Sequence, residues 1–150
     1  IKALRDEPLP VYGDGRQIRD WLYVKNTVRA LDCIVMKGGI GEIYNISGRN
    51  ERENIDIVRF ILQKLGKSET LIKYIKDRPG HDKRYSLNDT KLCEELGFRH
   101  SGIFEENLEF TIQWYLDNRE WWQRIIDYDS EYKKFMQTWY GSTTNVEKQT

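Results

Sequence analysis

The sequence is poor in residues that staple, ligate or attack. Its 150 residues include two cysteines, two histidines, two methionines and three prolines. Cys33 and Cys93 both fall inside helical patterns. They read as small buried apolar residues of a reducing compartment, which excludes a disulfide scaffold. No Cys-x-x-Cys occurs, and His81 and His100 stand far apart in the chain, so spacing offers no metal ligand set. An excess of one charge is missing too: 24 Lys and Arg balance 24 Asp and Glu. That argues against nucleic acid or an anionic membrane as partner, since either selects a basic surplus. No apolar run approaches the roughly 20 residues of a membrane span. Gly-x-Ser-x-Gly does not occur, and neither Gly13-Asp14-Gly15 nor Gly39-Ile40-Gly41 has the third glycine of a dinucleotide fingerprint. No pair of carboxylates sits in an apolar setting that would split their pKa values. No complete catalytic set is therefore legible.

What is present is an alternation of strands and helices. Leu9 to Tyr12 is a short extended segment, Gly13-Asp14-Gly15 a turn, and Ile18 to Tyr23 a second strand. Val24, Val28, Leu31 and Val35 recur at helical spacing, with Asn26 placed to cap and Gly38-Gly39 to stop the helix. Glu42 to Ile46 reads as a strand. Asn54 is placed to cap a helix with Ile55, Val58, Ile61, Leu62 and Leu65 on its apolar face, ended by Gly66. Leu71 to Ile75 is a third strand. A short helix capped by Asn88 or Asp89 closes at Leu96-Gly97, and helices follow from Phe104 to Asn118 and through Trp121 and Trp122. Ile1 to Glu7 reads as the end of a helix begun earlier. No apolar stretch of a signal peptide follows Ile1, and the chain does not open on Met, so further sequence is expected upstream. The expected fold is α/β, a small sheet packed by helices, over residues 1–140, with a polar, disordered tail at 141–150.

Three loops carry parts suited to an anion. Arg19 lies in a strand near a turn, open between a phosphate contact and an ion pair with Asp20 or Asp14. Asn54 stands at a helix N-terminus, where free N–H groups favour negative charge, open between an anion contact and a cap. Asp77-Arg78-Pro79-Gly80-His81 follows the third strand, open between one jaw of a phosphate clamp and a surface turn with solvated charges. There Pro79 biases Arg78 towards extended backbone, and Gly80 allows close approach of a ligand. Two guanidiniums and a helix N-terminus suit a diphosphate, each charge-assisted bond contributing on the order of 1.5–3 kcal/mol.

The run Pro10-Val11-Tyr12-Gly13-Asp14-Gly15-Arg16-Gln17-Ile18-Arg19-Asp20-Trp21-Leu22-Tyr23-Val24 resembles the hallmark of extended short-chain dehydrogenases acting on nucleotide sugars. Gly41 to Ile46, Asn54-Ile55-Asp56, Asp77 to Tyr85 and Glu95 to Phe98 sharpen the likeness to the C-terminal part of dTDP-glucose 4,6-dehydratases, over about Leu4 to Trp122. The resemblance implies that Pro10, Val11 and Tyr12 line the nucleotide. It implies that Arg19 and Asn54 hold the diphosphate, and that Asp77, Arg78, Pro79, Gly80 and His81 close on phosphate and ribose. Tyr140 is implied as a further nucleotide contact. The cofactor loop, the Tyr-x-x-x-Lys pair and the acid and base carboxylates of such enzymes lie upstream and do not occur here. Asn26 stands where they usually carry Asp.

The resemblance implies a cytoplasmic homodimer, with NAD bound by an N-terminal Rossmann half. It implies oxidation of the hexose at C4, loss of water across C5 and C6, and return of the hydride to C6. The product is the 4-keto-6-deoxy sugar of deoxysugar and rhamnose synthesis. This chain would supply substrate grip and not hydride transfer. A related epimerase or decarboxylase fragment and a non-catalytic nucleotide-sugar module remain the alternatives.

Overall fold

The computed structural model describes residues 1–140, Trp139 and Tyr140 by backbone alone. The expected Tyr140 contact and the 141–150 tail lie outside the described residues. The chain divides into two compact units, Ile1–Glu109 and Phe110–Thr150.

The first unit is α/β. β1 (Leu9–Tyr12) pairs in parallel with β4 (Ile72–Ile75), Val11 standing opposite Tyr74. β2 (Ile18–Asp20) pairs antiparallel with β3 (Glu51–Glu53), Arg19 opposite Arg52. A parallel bridge from Ile18 to Arg84 lays the segment after β4 along the other side of β2. The crossover from β1 to β4 carries α1 (Val24–Lys37) and α2 (Asn54–Lys64). α3 (Thr90–Leu96) ends on Gly97 at φ 70°, a left-handed position that suits glycine. Ala30, Leu92, Leu96 and Phe98 form a core cluster between α1 and α3.

Five local expectations are corrected. α1 forms, but its strongly apolar stripe faces outward: Val28 is 59% and Val35 82% exposed. The packed face is Asn26, Ala30, Cys33 and Ile34. Residues two apart lie about 200° round a helix, so this is the opposite side. Periodicity finds the more apolar face, and nothing among the described residues covers it. Asn26 does not cap α1. It is buried and ties down Ser101, accepting from its N–H and Oγ and donating to its carbonyl. Asn54 is the first helical residue, with Glu53 at the cap position, and its N–H donates to the Gln17 carbonyl. Glu42 to Ile46 forms no strand, because a strand needs a neighbour to pair with. Tyr44 and Ile46 still pack on the core cluster, while Ile43 points out. At the N-terminus, only a 3-10 turn (Lys2–Arg5) forms.

In the second unit, α4 (Phe104–Asp117) gives its last turns, followed by α5 (Arg119–Tyr128) and α6 (Ser130–Tyr140). Trp122 is buried and donates its indole N–H to the Tyr115 carbonyl. Trp114 and Trp121 meet edge to face. The aromatic-rich end therefore includes packed rings. Among the described residues no helix is long and apolar enough to cross a membrane.

Candidate functional site

The turn after β1 and the loop after β4 converge because their strands pair in parallel. Gln17, buried, joins them: its side-chain amide donates to the Tyr12 carbonyl at 3.2 Å and to Asp77 Oδ2 at 3.1 Å. The backbone carbonyls of Gln17 and Gly15 accept from the N–H groups of Asn54 and Ile55. One glutamine thus holds β1, the start of α2 and the Asp77 loop in one place.

Arg19 is half-buried, and its partners decide between the readings left open. Its guanidinium donates to the carbonyls of Ile18 at 2.7 Å and Asp82 at 3.0 Å. It lies 3.0 Å from His81 Nε2 and 4.3 Å over the ring of Tyr85. Asp20 is engaged elsewhere, accepting from Ser47 Oγ and from the backbone N–H groups of Gly48 and Asn50. The ion pair of Arg19 with Asp20 or Asp14 is therefore not formed. His81 Nδ1 stands 2.6 Å from Asp77 Oδ1, and its side chain is only 6% exposed. Tyr12 meets the imidazole edge to face at 5.9 Å. Asp77, His81 and Arg19 thus form one hydrogen-bonded chain across two loops. The bond from His81, with help from the Arg78 N–H and Gln17, holds the Asp77 carboxyl below its usual range. The bond to Asp82 pushes the Tyr85 phenol up.

Arg78 is exposed and its N–H donates to Asp77. Its charge and that of Arg19 both favour the Tyr85 phenolate, against the larger effect of Asp82. Pro79 and Gly80 are exposed at the tip, Gly80 at φ 67°. Pro10 and Tyr12 alternate with Val11, whose side chain is buried beside Gly15 and Ile55. Asn54 is half-buried at the start of α2. The structure brings Tyr12, Arg19, Asp77 and His81 into direct contact, with Arg78 beside them. Two grooves, of about 670 and 530 Å3, lie elsewhere and are lined by other residues. Gln17 and Tyr85 were missed as site residues. A buried glutamine between a turn and a strand was the available signal for the first.

A second polar cluster lies on α3. Asp89, 2% exposed, accepts from Arg49 Nε and pairs with His100 Nε2, each at 2.7 Å. Burial alone would raise the Asp89 carboxyl, but these two bonds outweigh it and leave it lowered. Burial and the Asp89 charge push the Cys93 thiol up, so it is no ready nucleophile.

The model of the family described as GDP-mannose 4,6 dehydratase matches residues 1–111. The chain belongs to this family. It is 47% identical over 138 residues to the dTDP-glucose 4,6-dehydratase of Escherichia coli, spanning 85% of this chain and 38% of that one. The Bacillus anthracis dTDP-glucose 4,6-dehydratase, solved in complex with NAD, superposes with a TM-score of 0.76 at 43% identity, over 81% of this chain and 39% of that one. UDP-glucose 4-epimerase of Thermotoga maritima, solved with UDP-glucose, gives 0.72 at 28%, over 77% and 37%. The chain thus spans less than two-fifths of the relatives it matches.

Proposed function

We propose that this chain is the substrate-gripping part of a dTDP-glucose 4,6-dehydratase, holding the nucleoside diphosphate of dTDP-glucose. The observation that carries the reading is the Arg19–His81–Asp77 chain. It joins the two stretches that resemble the enzymes' diphosphate-binding strand and loop. Arg19 is pre-oriented by its carbonyl and imidazole partners, so little side-chain entropy is left to lose on binding a phosphate. Arg78, exposed beside it, is free to close over the other face of the diphosphate. Asn54 stands at the start of α2, where the helix dipole favours an anion, although its own N–H and that of Ile55 are taken by the Gln17 and Gly15 carbonyls. Pro10, Val11 and Tyr12 line the nucleotide, Val11 through its backbone, and Pro79 and Gly80 shape the closing loop.

Among the described residues no glycine turn forms a dinucleotide cradle. Gly13-Asp14-Gly15 links strand to strand, and Gly39 and Gly41 lead into an irregular segment. In this reading NAD belongs to an N-terminal Rossmann half. That half covers the outward face of α1 and supplies a strand partner for residues 42–46. The whole enzyme, a cytoplasmic homodimer, converts dTDP-glucose to its 4-keto-6-deoxy product, and this chain alone turns nothing over.

Titration calorimetry with dTDP tests the grip. The expected result is saturable binding, weakened about tenfold or more by Arg78→Ala, one charge-assisted bond being worth at least that. Unchanged affinity in the variant would count against the reading. The likeness to an epimerase keeps a UDP-sugar enzyme as the second reading, and tighter binding of UDP than of dTDP would favour it.

A further inference from the structure

We propose that Asp89, Cys93 and His100 form a binding site for a thiophilic divalent metal ion, of which Zn2+ is the probe. One ligand atom from each lies within 4.8 Å of the other two. The local fold explains the grouping. Asp89 is the residue before α3 and Cys93 sits one turn further on, so both occupy one face. Gly97 reverses the chain in a left-handed turn, and Phe98 enters the core. His100 then returns over α3, its ring held edge to face on Phe98 at 5.0 Å.

The cluster already holds a cation. The Arg49 guanidinium bridges two of the three prospective ligands, Nε 2.7 Å from Asp89 Oδ1 and Nη2 3.4 Å from Cys93 Sγ. Its side chain is half exposed and can swing into the groove of about 530 Å3 that reaches Cys93 and His100. Arg99 is turned away, donating to the carbonyls of Cys93 and Phe98. His100 Nδ1 is buried with no hydrogen-bond partner, an arrangement that is costly in a protein interior. A metal answers it by taking the place of the hydrogen between Nε2 and Asp89: the imidazole proton then sits on Nδ1, and the ring is released to turn that N–H to a partner.

One sulfur, one imidazole nitrogen and one carboxylate oxygen suit Zn2+, with a water completing the tetrahedron. Metal–ligand bonds of about 2.0–2.3 Å place such atoms roughly 3.4–3.8 Å apart, so shifts of about 1 Å close the set. On binding, the metal–sulfur bond forms, the thiol proton leaves to solvent, and Arg49 is displaced.

The test is titration of the full, untagged chain with Co2+, followed by displacement with Zn2+. One ion per chain is expected, with a thiolate-to-cobalt charge-transfer band that Cys93→Ser removes. Asp89→Asn and His100→Gln should each weaken binding about tenfold or more. Arg49→Ala, which removes the competing cation, should tighten it severalfold. In the wild-type chain Zn2+ should also protect Cys93, read by mass, from alkylation. No charge-transfer band, affinity indifferent to Cys93→Ser, or weaker binding in Arg49→Ala would each overturn the assignment. The protection assay needs no variant, so a misfolded substitution cannot shelter the proposal.

Discussion

Nη2 of Arg19 lies 3.0 Å from Nε2 of His81. A guanidinium can only donate, so the imidazole accepts there, and its proton sits on Nδ1 facing Asp77. The loop histidine thereby aims the strand arginine. His81→Phe keeps a ring against Tyr12 but removes the acceptor. The expected outcome is a loss of about tenfold in dTDP affinity, one hydrogen bond to a charged group. Arg19→Lys should lose at least as much, because an ammonium cannot reach both carbonyls and the ring nitrogen in the same fork. Calorimetry checks both, and full affinity in His81→Phe would show that Arg19 needs no such guide.

Asp89 makes stability depend on pH. Its carboxyl is lowered on balance, so it binds a proton less readily folded than unfolded. Its contribution is then fully present above the unfolded value of about 3.9 and is lost as pH falls through the lowered native one. Asp89→Asn should cost about 2 kcal/mol near pH 7, discounted for the solvent-exposed Arg49 partner. The gap to wild type should narrow in acid. Urea unfolding at neutral pH and below about pH 4 measures it. A gap that stays constant would mean the charge is not what stabilises.

Much of this was legible because local signals and tertiary demands agree. Gly38 and Gly66 stop helices where breaker chemistry says they should, and Asp77 to His81 reads as a loop after a strand and is one. The misreadings share a cause. The α1 stripe was chosen for apolarity, yet burial depends on what covers a face. Residues 42–46 have strand composition but, among the described residues, no strand beside them. Asn26 and Asn54 stand near helix starts, where side-chain caps are common, but tertiary partners claim the first and the second is already helical. The Asp89, Cys93 and His100 cluster joins a helix start, the next turn and a return loop, a spacing no short motif encodes.

Gly15 marks where packing forbids a side chain. It has φ 77°, and a Cβ there would stand 2.8 Å from Val11 Cγ1 and 2.9 Å from Ile55 Cβ. Gly15→Ala combines left-handed strain with overpacking between β1 and α2, and should destabilise by about 2–3 kcal/mol. Gly66 shares the positive φ, with nothing within 4 Å of the position. Gly66→Ala should therefore cost only about 1 kcal/mol. Denaturant midpoints of the two variants separate strain from crowding, and equal losses would refute the packing argument.

The outward face of α1 predicts a separation of stability from function. Val24, Val28, Leu31 and Val35 are each more than half exposed. An apolar stripe left in water on a helix that is already packed on its other side marks an interaction surface. Val28→Glu with Leu31→Glu removes no contact that this chain makes for itself. Its unfolding free energy should stay within about 0.5 kcal/mol of wild type. In the proposed enzyme the same pair would set two carboxylates against the Rossmann half, where burying an unpaired charge is prohibitive. Joined to that half, the variant should lose NAD-dependent turnover of dTDP-glucose while the unsubstituted chain supports it. Turnover at the unsubstituted rate would move the partner off this face, and a large loss of stability in the isolated variant would show the stripe to be internally packed.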